Sequence, residues 1–286
     1  MHFERRAASA AQAAVRRFLA PRSVALIGES FDPSSTDGVL MRNLFEGGFG
    51  GRVSLVNGTG ANVQGLTAFT SVRDIPGEID VAVITVPAAQ AVAVAEECGA
   101  KGVHALVVIS PGFAEAGAEG SEHQRHLLEI CRQRGMRLVG PNCSGVLSTA
   151  DAVHLNASVI AGLPTRGRIG FMSQSGSLGS AIIELARAQG TGFSSFVSVG
   201  NNADISAIDL LQYWEADPET NLVMLYLESF GDPRLFSRVA RRVARQMPIL
   251  AVKGGRSAAG ARAATTSHSG TLTRPSTIRL ALTEQS

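Results

Sequence analysis

The chain has 286 residues, 45% hydrophobic and 17% charged, with a formal net charge of +2. That length buries a sizeable core and suits about two domains of typical size, and the apolar content excludes an intrinsically disordered chain. Near-neutral charge argues against a nucleic-acid partner, and no apolar run approaches the roughly 20 residues needed to span a bilayer, so a soluble protein is expected.

Residues 1–18 are rich in Ala and Arg, and they read as an exposed N-terminal helix over about 7–18 in preference to a transit peptide. From residue 19 onward, short β-rich apolar runs alternate with helical patterns, the signature of βα units around a parallel sheet. Strands are predicted at 23–28, 52–56, 80–86, 105–109 and 136–139. Helices are predicted at 38–46, from the Ala-rich run to Cys98, and at 119–134, where Gly135 provides a stop. Residues 148–166, with small polar side chains, Gly162 and Pro164, read as a linker. The alternation then restarts, with strands at 168–173, 196–199, 222–227 and 249–252 and helices at 178–189, 207–215 and 233–245. The expected fold is α/β, two doubly wound parallel-sheet domains in tandem: 19–147, then 167–272. Cys98, Cys131 and Cys143 are an odd number without metal-type spacing, which argues against disulfides and for a reducing, cytoplasmic compartment.

In open parallel sheets, ligands bind beyond the C-terminal strand ends, where helix N-termini present free N–H groups. The turn Ile27-Gly28-Glu29-Ser30 lets the backbone approach a phosphate closely, yet Ser30 and Pro33 stand where G-x-G-x-x-G needs glycines. Asn57 stands where an acidic residue would grip a ribose, so a nicotinamide dehydrogenase is disfavoured. The turns at Thr85 and Pro87, at Ser110 and Gly112, and around Asn142 in Gly140–Gly145 line the same sheet edge. The turn 173–179, Ser-Gln-Ser-Gly-Ser-Leu-Gly, precedes a long helix and makes an anion site of Ser175, Gly176 and Ser177. Helix capping and a serine nucleophile are the rival readings, although G-x-S-x-G is not matched at Ser175. A last small, polar, Gly-rich stretch from Lys253 carries His268, expected on an exposed loop; the other histidines read as structural.

These segments in this order resemble the NDP-forming acyl-CoA synthetases, specifically the α-type part shared with the succinyl-CoA synthetase α subunit. The most specific stretches are 140–145, 173–179, Ser198-Val-Gly-Asn201 with Ala203-Asp204, and 256–262 leading to Ser267-His-Ser-Gly270. The resemblance implies a Rossmann-like CoA-binding domain and a flavodoxin-like domain carrying a phosphohistidine. It assigns Gly28, Ser30, Thr85, Pro87, Ser110, Gly112 and Asn142 to CoA, and Ser175, Gly176 and Ser177 to phosphate. His268 takes the phosphoryl group and Glu228 orients its imidazole. The implied reaction is acid, CoA and ATP to acyl-CoA, ADP and phosphate. ATP or ADP with Mg would sit on a partner ATP-grasp subunit or domain, since nothing here resembles one, and an oligomer follows. No metal site is implied on this chain. Two departures accompany the resemblance: Asn57-Gly58 where Asn-Pro is usual, and Glu29 where a small residue is usual. Residues 273–286 do not resemble the family's continuation and the chain stops 18 residues beyond His268, so a C-terminally truncated copy is expected. The alternative is a CoA-binding regulatory module related to those of protein lysine acetyltransferases.

Overall fold

The computed structural model describes residues 2–254. The first half comprises α1 (His2–Leu19), β1 (Ser23–Ile27), α2 (Thr36–Glu46), β2 (Arg52–Val56), β3 (Ala68–Phe69), β4 (Val81–Ile84), α3 (Ala88–Lys101), β5 (Ala105–Val108), α4 (Ala118–Arg134) and β6 (Arg137–Val139). Its strands make a parallel sheet in the order β3-β2-β1-β4-β5-β6. β1, β4 and β5 are short runs of small and branched aliphatic residues, buried at every position. Such continuous burial is what helices on both faces of a sheet demand. The strand order reverses between β1 and β4, which puts the ligand crevice of a doubly wound sheet above those two strands.

The second half comprises β7 (Gly145–Ser148), β8 (Leu155–Ser158), β9 (Arg166–Ser173), α5 (Gly176–Ala188), β10 (Phe193–Ser198), α6 (Ala207–Trp214), β11 (Leu222–Leu227), α7 (Pro233–Val243) and β12 (Ile249–Lys253). The strand order is β12-β11-β9-β10-β7-β8; β9 to β12 run parallel, and β7 is antiparallel to both β10 and β8. Two parallel-dominated α/β sheets in tandem are therefore present, as expected from the alternation.

Two sequence readings need correction. The span 148–166 is not a plain linker, because β8 lies within it and β7 ends in it, adding a hairpin to the second sheet. Its polar residues misled because they are buried with partners. Asn156 and Ser158 are fully buried; Asn156 Nδ2 donates to the Ile160 carbonyl (3.1 Å) and the Ser158 hydroxyl to Asn156 Oδ1 (2.6 Å). From α2, Asn43 Nδ2 donates to the carbonyls of Ser158 and Ile160, both at 2.8 Å. Buried polar groups so satisfied cost little, so a strand need not look apolar.

The N-terminal helix is not exposed either. Ala11, Ala14, Val15, Phe18 and Leu19 are buried, and most of them join a core shared by α2, β1 and β4 of the first domain and Leu210, Leu211 and Trp214 of α6. Gln12 Nε2 also donates to the Gln212 carbonyl (3.0 Å). α1 thus fills the seam between the domains, where full burial of Phe18 alone contributes roughly 1.5–3 kcal/mol. The opposite face of the first sheet packs on α3 and α4, and the opposite face of the second packs Phe171, Phe193 and Phe196 against Ile183 of α5. No helix among the described residues is long and apolar enough to cross a membrane.

Candidate functional site

The predicted CoA turns stand side by side, because the sheet order makes β1, β4, β5 and β6 consecutive neighbours. Gly28 and Thr85 meet at the reversal point: a Cβ on Gly28 would lie 2.9 Å from Thr85 Oγ1. The Thr85 hydroxyl donates to the Ile27 carbonyl (3.0 Å) and the buried Ser110 hydroxyl to the Val86 carbonyl (2.6 Å), so both tie neighbouring turns together. Asn142, at φ +55, is held by its N–H on the Ser110 carbonyl (3.0 Å). Pro87 is exposed at the N-cap of α3 without a side-chain cap. The N–H groups of Ala88 and Ala89 consequently have no acceptor among the described residues. Sequence reasoning passed over this pair, although Thr-Val-Pro before an Ala-rich helix is its signal.

The turn after β1 is arranged differently from the expectation of a phosphate seat. Asp37 Oδ2 accepts from the N–H groups of Glu29 (2.9 Å), Ser30 (3.1 Å) and Phe31 (3.1 Å). Its other oxygen accepts from the Ser35 hydroxyl, the cap of α2. A carboxylate of the chain itself therefore fills the cradle that a ligand phosphate would occupy. Gly28 is required by that carboxylate, since a Cβ there would come 2.5 Å from Asp37 Oδ2. Phe31, buried at φ +54, is a strained conformation for a bulky residue that the bond from its N–H helps to hold. Burial pushes the Asp37 carboxyl up, but the Ser35 hydroxyl and the N–H groups of Phe31, Glu29 and Ser30 outweigh it and leave the pKa below its ordinary value. Ser30 and Glu29 are exposed, and Gln90 Nε2 reaches Glu29 at 3.4 Å. Asn57 is structural: its Oδ1 accepts from Gly60 N–H (2.8 Å) and Thr59 N–H (3.3 Å), an Asx-type turn.

Gly112, at φ +100, has its N–H on Glu115 Oε1 (2.7 Å), which also accepts from Phe113 N–H (3.1 Å). The second oxygen of Glu115 accepts from Asn201 Nδ2, in the loop after β10. The first domain's ligand edge is in this way bonded to the second domain.

In the second domain, β9 ends in Ser173, Gln174 follows, and α5 begins at Gly176 with Ser175 as its cap. The Ser175 hydroxyl accepts from Leu178 N–H (3.4 Å) and lies 3.4 Å from the exposed Ser177 hydroxyl. It has no general base as a hydrogen-bond partner among the described residues, so the capping role stands against the serine-nucleophile reading. The N–H groups of Gly176 and Ser177 have no acceptor among the described residues, and they sit at the positive end of α5. Gly176 is set by close approach: a Cβ there would come 2.2 Å from the hydroxyl of Ser144.

Glu228, which the resemblance assigns to the histidine, is buried directly after β11. Gln174, a residue sequence reasoning overlooked, brings it to the α5 turn. The buried Gln174 side chain accepts from the N–H groups of Glu228 and Ser229 (2.8 Å to the latter), and its Nε2 donates to the Ser229 carbonyl (2.9 Å). Burial and the Glu228 charge together push the Tyr226 hydroxyl up. Gly254 N–H donates to the Leu227 carbonyl (2.8 Å), and a Cβ on Gly254 would lie 2.6 Å from the Tyr226 hydroxyl and 3.7 Å from Glu228 Cγ. The stretch toward His268 therefore departs beside Glu228. His268 and the loop expected to carry it lie, with all of residues 255–286, outside the described residues.

One cleft, of about 630 Å³, lies at the opposite end of the strands from this chemistry. It is lined by Arg16, Arg22, Asp80, His104 and Tyr213, at the N-terminal ends of β1, β4 and β5, whereas the turns above occupy the C-terminal ends. The cysteines are all free and buried, with the Cys131 and Cys143 thiols pushed up by burial to about 12, so none is a nucleophile. No group of three or more His, Cys, Asp or Glu among the described residues is placed to hold a metal ion.

Residues 22–149 match the CoA binding domain family, and residues 166–286 match the succinyl-CoA ligase like flavodoxin domain family. The α subunit of acetate–CoA ligase [ADP-forming] II from Pyrococcus furiosus is 42% identical over 255 residues, which are 89% of this chain and 55% of that protein. The 4-hydroxybutyrate–CoA ligase [ADP-forming] of Nitrosopumilus maritimus is 36% identical across 94% of this chain and 38% of its own length. The dinucleotide-forming acetyl-coenzyme A synthetase 1 of Ca. Korarchaeum cryptofilum, solved with phosphate and ADP, superposes with a TM-score of 0.81 at 40% identity, covering 90% of this chain and 55% of that one. The chain spans about half or less of the length of these relatives.

Proposed function

We propose that this chain, which belongs to the NDP-forming acyl-CoA synthetases through its CoA-binding and succinyl-CoA-ligase-like domains, is the CoA-binding, phosphohistidine-carrying part of such a ligase. A single observation carries the reading. The buried residue Glu228 is held through its backbone N–H by Gln174, next to the cap of α5, whose Gly176 and Ser177 N–H groups have no acceptor among the described residues, where the stretch toward His268 departs. A carboxylate that accepts one imidazole N–H leaves the other nitrogen free to attack phosphorus and supports the resulting cation. Open helix-end donors spread the charge of the transferring phosphoryl group, where positioning and electrostatics do most of the catalysis.

In the first domain, CoA lies along the edge formed by Gly28, Ser30, Thr85, Pro87, Ser110, Gly112 and Asn142. Because Asp37 fills the cradle after β1, the Ala88 and Ala89 N–H groups, without an acceptor among the described residues, are the fitting donors for its phosphates. Phosphate attacks the thioester carbon of acyl-CoA, the C–S bond breaks, and CoA leaves as the thiol. His268 then takes the phosphoryl group from the acyl phosphate, releasing the carboxylic acid, and passes it to ADP with Mg on an ATP-grasp β-type subunit. The reverse direction consumes ATP and makes acyl-CoA in a cytoplasmic, oligomeric enzyme.

The test is incubation of the chain with an ATP-grasp partner and γ-labelled ATP, followed by assay of acid-labile phosphate. His268→Ala is expected to abolish the label while leaving CoA affinity within about twofold, since the two seats are on different domains. An unlabelled wild-type chain that still binds CoA would replace this reading with the regulatory CoA-binding module.

A further inference from the structure

In the second domain, the loop at residues 199–204 bonds to the first domain's ligand edge, and Asn201 carries three of its side-chain contacts. This side chain uses both ends of its amide on the first domain. Its Nδ2 donates to Glu115 Oε2 and to Gln124 Oε1 (2.9 Å), and its Oδ1 accepts from Asn142 Nδ2 (3.3 Å). The backbone adds Asn201 N–H to the Pro141 carbonyl (2.9 Å), Ala203 N–H to Gly140 (3.3 Å) and Ile205 N–H to Leu138 (3.0 Å). These bonds cover the otherwise free edge of β6. Glu115 is the other half of the contact: its Oε1 accepts from the N–H groups of Gly112 and Phe113, so it fixes the turn after β5.

The same loop is fixed from behind onto the phosphate turn. Val199 N–H donates to the Ser173 carbonyl (2.9 Å), Ser144 N–H donates to Ser198 Oγ (3.0 Å), and the Ser144 hydroxyl abuts Gly176. A continuous run of bonds and contacts therefore joins Gly112 to Gly176 through Glu115 and Asn201.

We infer that Asn201 and Glu115 are a positioning pair that sets the turn after β5 against the turn before α5, so that the acyl thioester and the attacking phosphate meet in register. The inference rests on the reading given under Proposed function. The two reactants sit on different domains, reacting atoms must approach to about 3–3.5 Å, and a misplacement near 1 Å can lower the rate roughly 100-fold. Asn201 suits the task because one neutral amide satisfies a carboxylate and a carboxamide oxygen with its hydrogens while accepting from a third residue. An aspartate there would set its charge against Glu115 and lose the donors.

The test uses the full chain with its ATP-grasp partner and the variants Asn201→Ala, Asn201→Asp, Glu115→Gln and the Asn201→Asp/Glu115→Gln double. Two rates are read: labelling of His268 from ATP, which does not involve the turn after β5, and acyl-CoA formation. Asn201→Asp is expected to lower kcat for acyl-CoA formation on the order of 100-fold with KM for CoA changed far less, and to leave labelling within about twofold. The double variant restores part of the loss, because the amide that Glu115→Gln introduces can donate to the new carboxylate. Equal loss of both rates in Asn201→Asp indicates a merely structural role and overturns the inference, as does an unchanged rate of acyl-CoA formation. Amide exchange reads the contact without turnover: Gly112 and Phe113 are expected to exchange several-fold faster in Asn201→Ala. Unchanged exchange there overturns the inference. Faster exchange in a chain whose wild type never labels retires the phosphohistidine reading while the positioning contact stands.

Discussion

The turn after β1 and the turn after β9 are the same device used in opposite ways. Each follows a parallel strand that ends in the core, each leads into a helix capped by a serine, and each contains a glycine at a point of close approach. After β1, three N–H groups converge on Asp37 and the cradle is closed. After β9, the N–H groups of Gly176 and Ser177 are left without an acceptor among the described residues, and Gln174, next to the α5 cap, bonds the backbone N–H of Glu228. The lesson is that a glycine turn before a helix is an anion seat only while the chain does not supply its own anion.

The largest effect is expected at the open turn. Glu228→Gln should reduce phosphoryl labelling of His268 on the order of 100-fold, because a neutral amide cannot support the imidazolium that forms. The backbone N–H of residue 228 keeps its bond to Gln174, so CoA affinity should be unchanged. Labelling near the wild-type rate would separate Glu228 from the chemistry.

At the closed turn the effect is on stability. Asp37→Ala strands three N–H donors and releases the strained Phe31, and should cost about 2 kcal/mol in denaturant unfolding. If that variant instead kept full stability and bound phosphate ligands more tightly, the turn after β1 would be a blocked ligand seat and the contrast would collapse.

The pH dependence sharpens the same point. The Asp37 pKa lies below its ordinary value of 3.8, so its ionised form is favoured in the folded state. Its contribution is fully present above that ordinary value and is lost as pH falls through the lower, folded value. Asp80 follows the same rule: burial pushes it up, but bonds from Arg22 and Ser23 and the Arg22 charge prevail. Unfolding free energy should therefore fall as the solution is acidified below about pH 4, and Asp37→Asn should flatten that fall without removing it. The smallest effect belongs to the cap of α5: Ser175→Ala should cost about 1 kcal/mol or less, since its bond to Leu178 N–H is long at 3.4 Å.

Much of the fold was legible in the sequence because short apolar runs between helical patterns leave a plain mark. The runs at 52–56 and 222–227 coincide with β2 and β11, and the reversal that defines the ligand edge follows from right-handed βα connections. The hairpin of β7 and β8 was not legible, since Asn156 and Ser158 are polar yet buried and satisfied by partners such as Asn43, more than a hundred positions away. The packing of α1 against α6 was hidden for the same reason: nothing local to an Ala- and Arg-rich segment says which distant helix receives Phe18.

The site divides along the same line. Strand-end positions are a property of local sequence, so the Ser175–Ser177 turn and Glu228 could be singled out from spacing and resemblance. Which turns stay open is decided by side chains arriving from elsewhere. Asp37 closes the turn after β1 from the first helical turn of α2, Gln174 reaches across to the end of β11, and Asn201 bonds Glu115 from the other domain. Sequence by itself determined where N–H groups and carboxylates are available along the chain. Only the tertiary structure decided which pairs consume each other and which remain for a ligand, because a hydrogen bond depends on separation in space and direction, and chain order specifies neither.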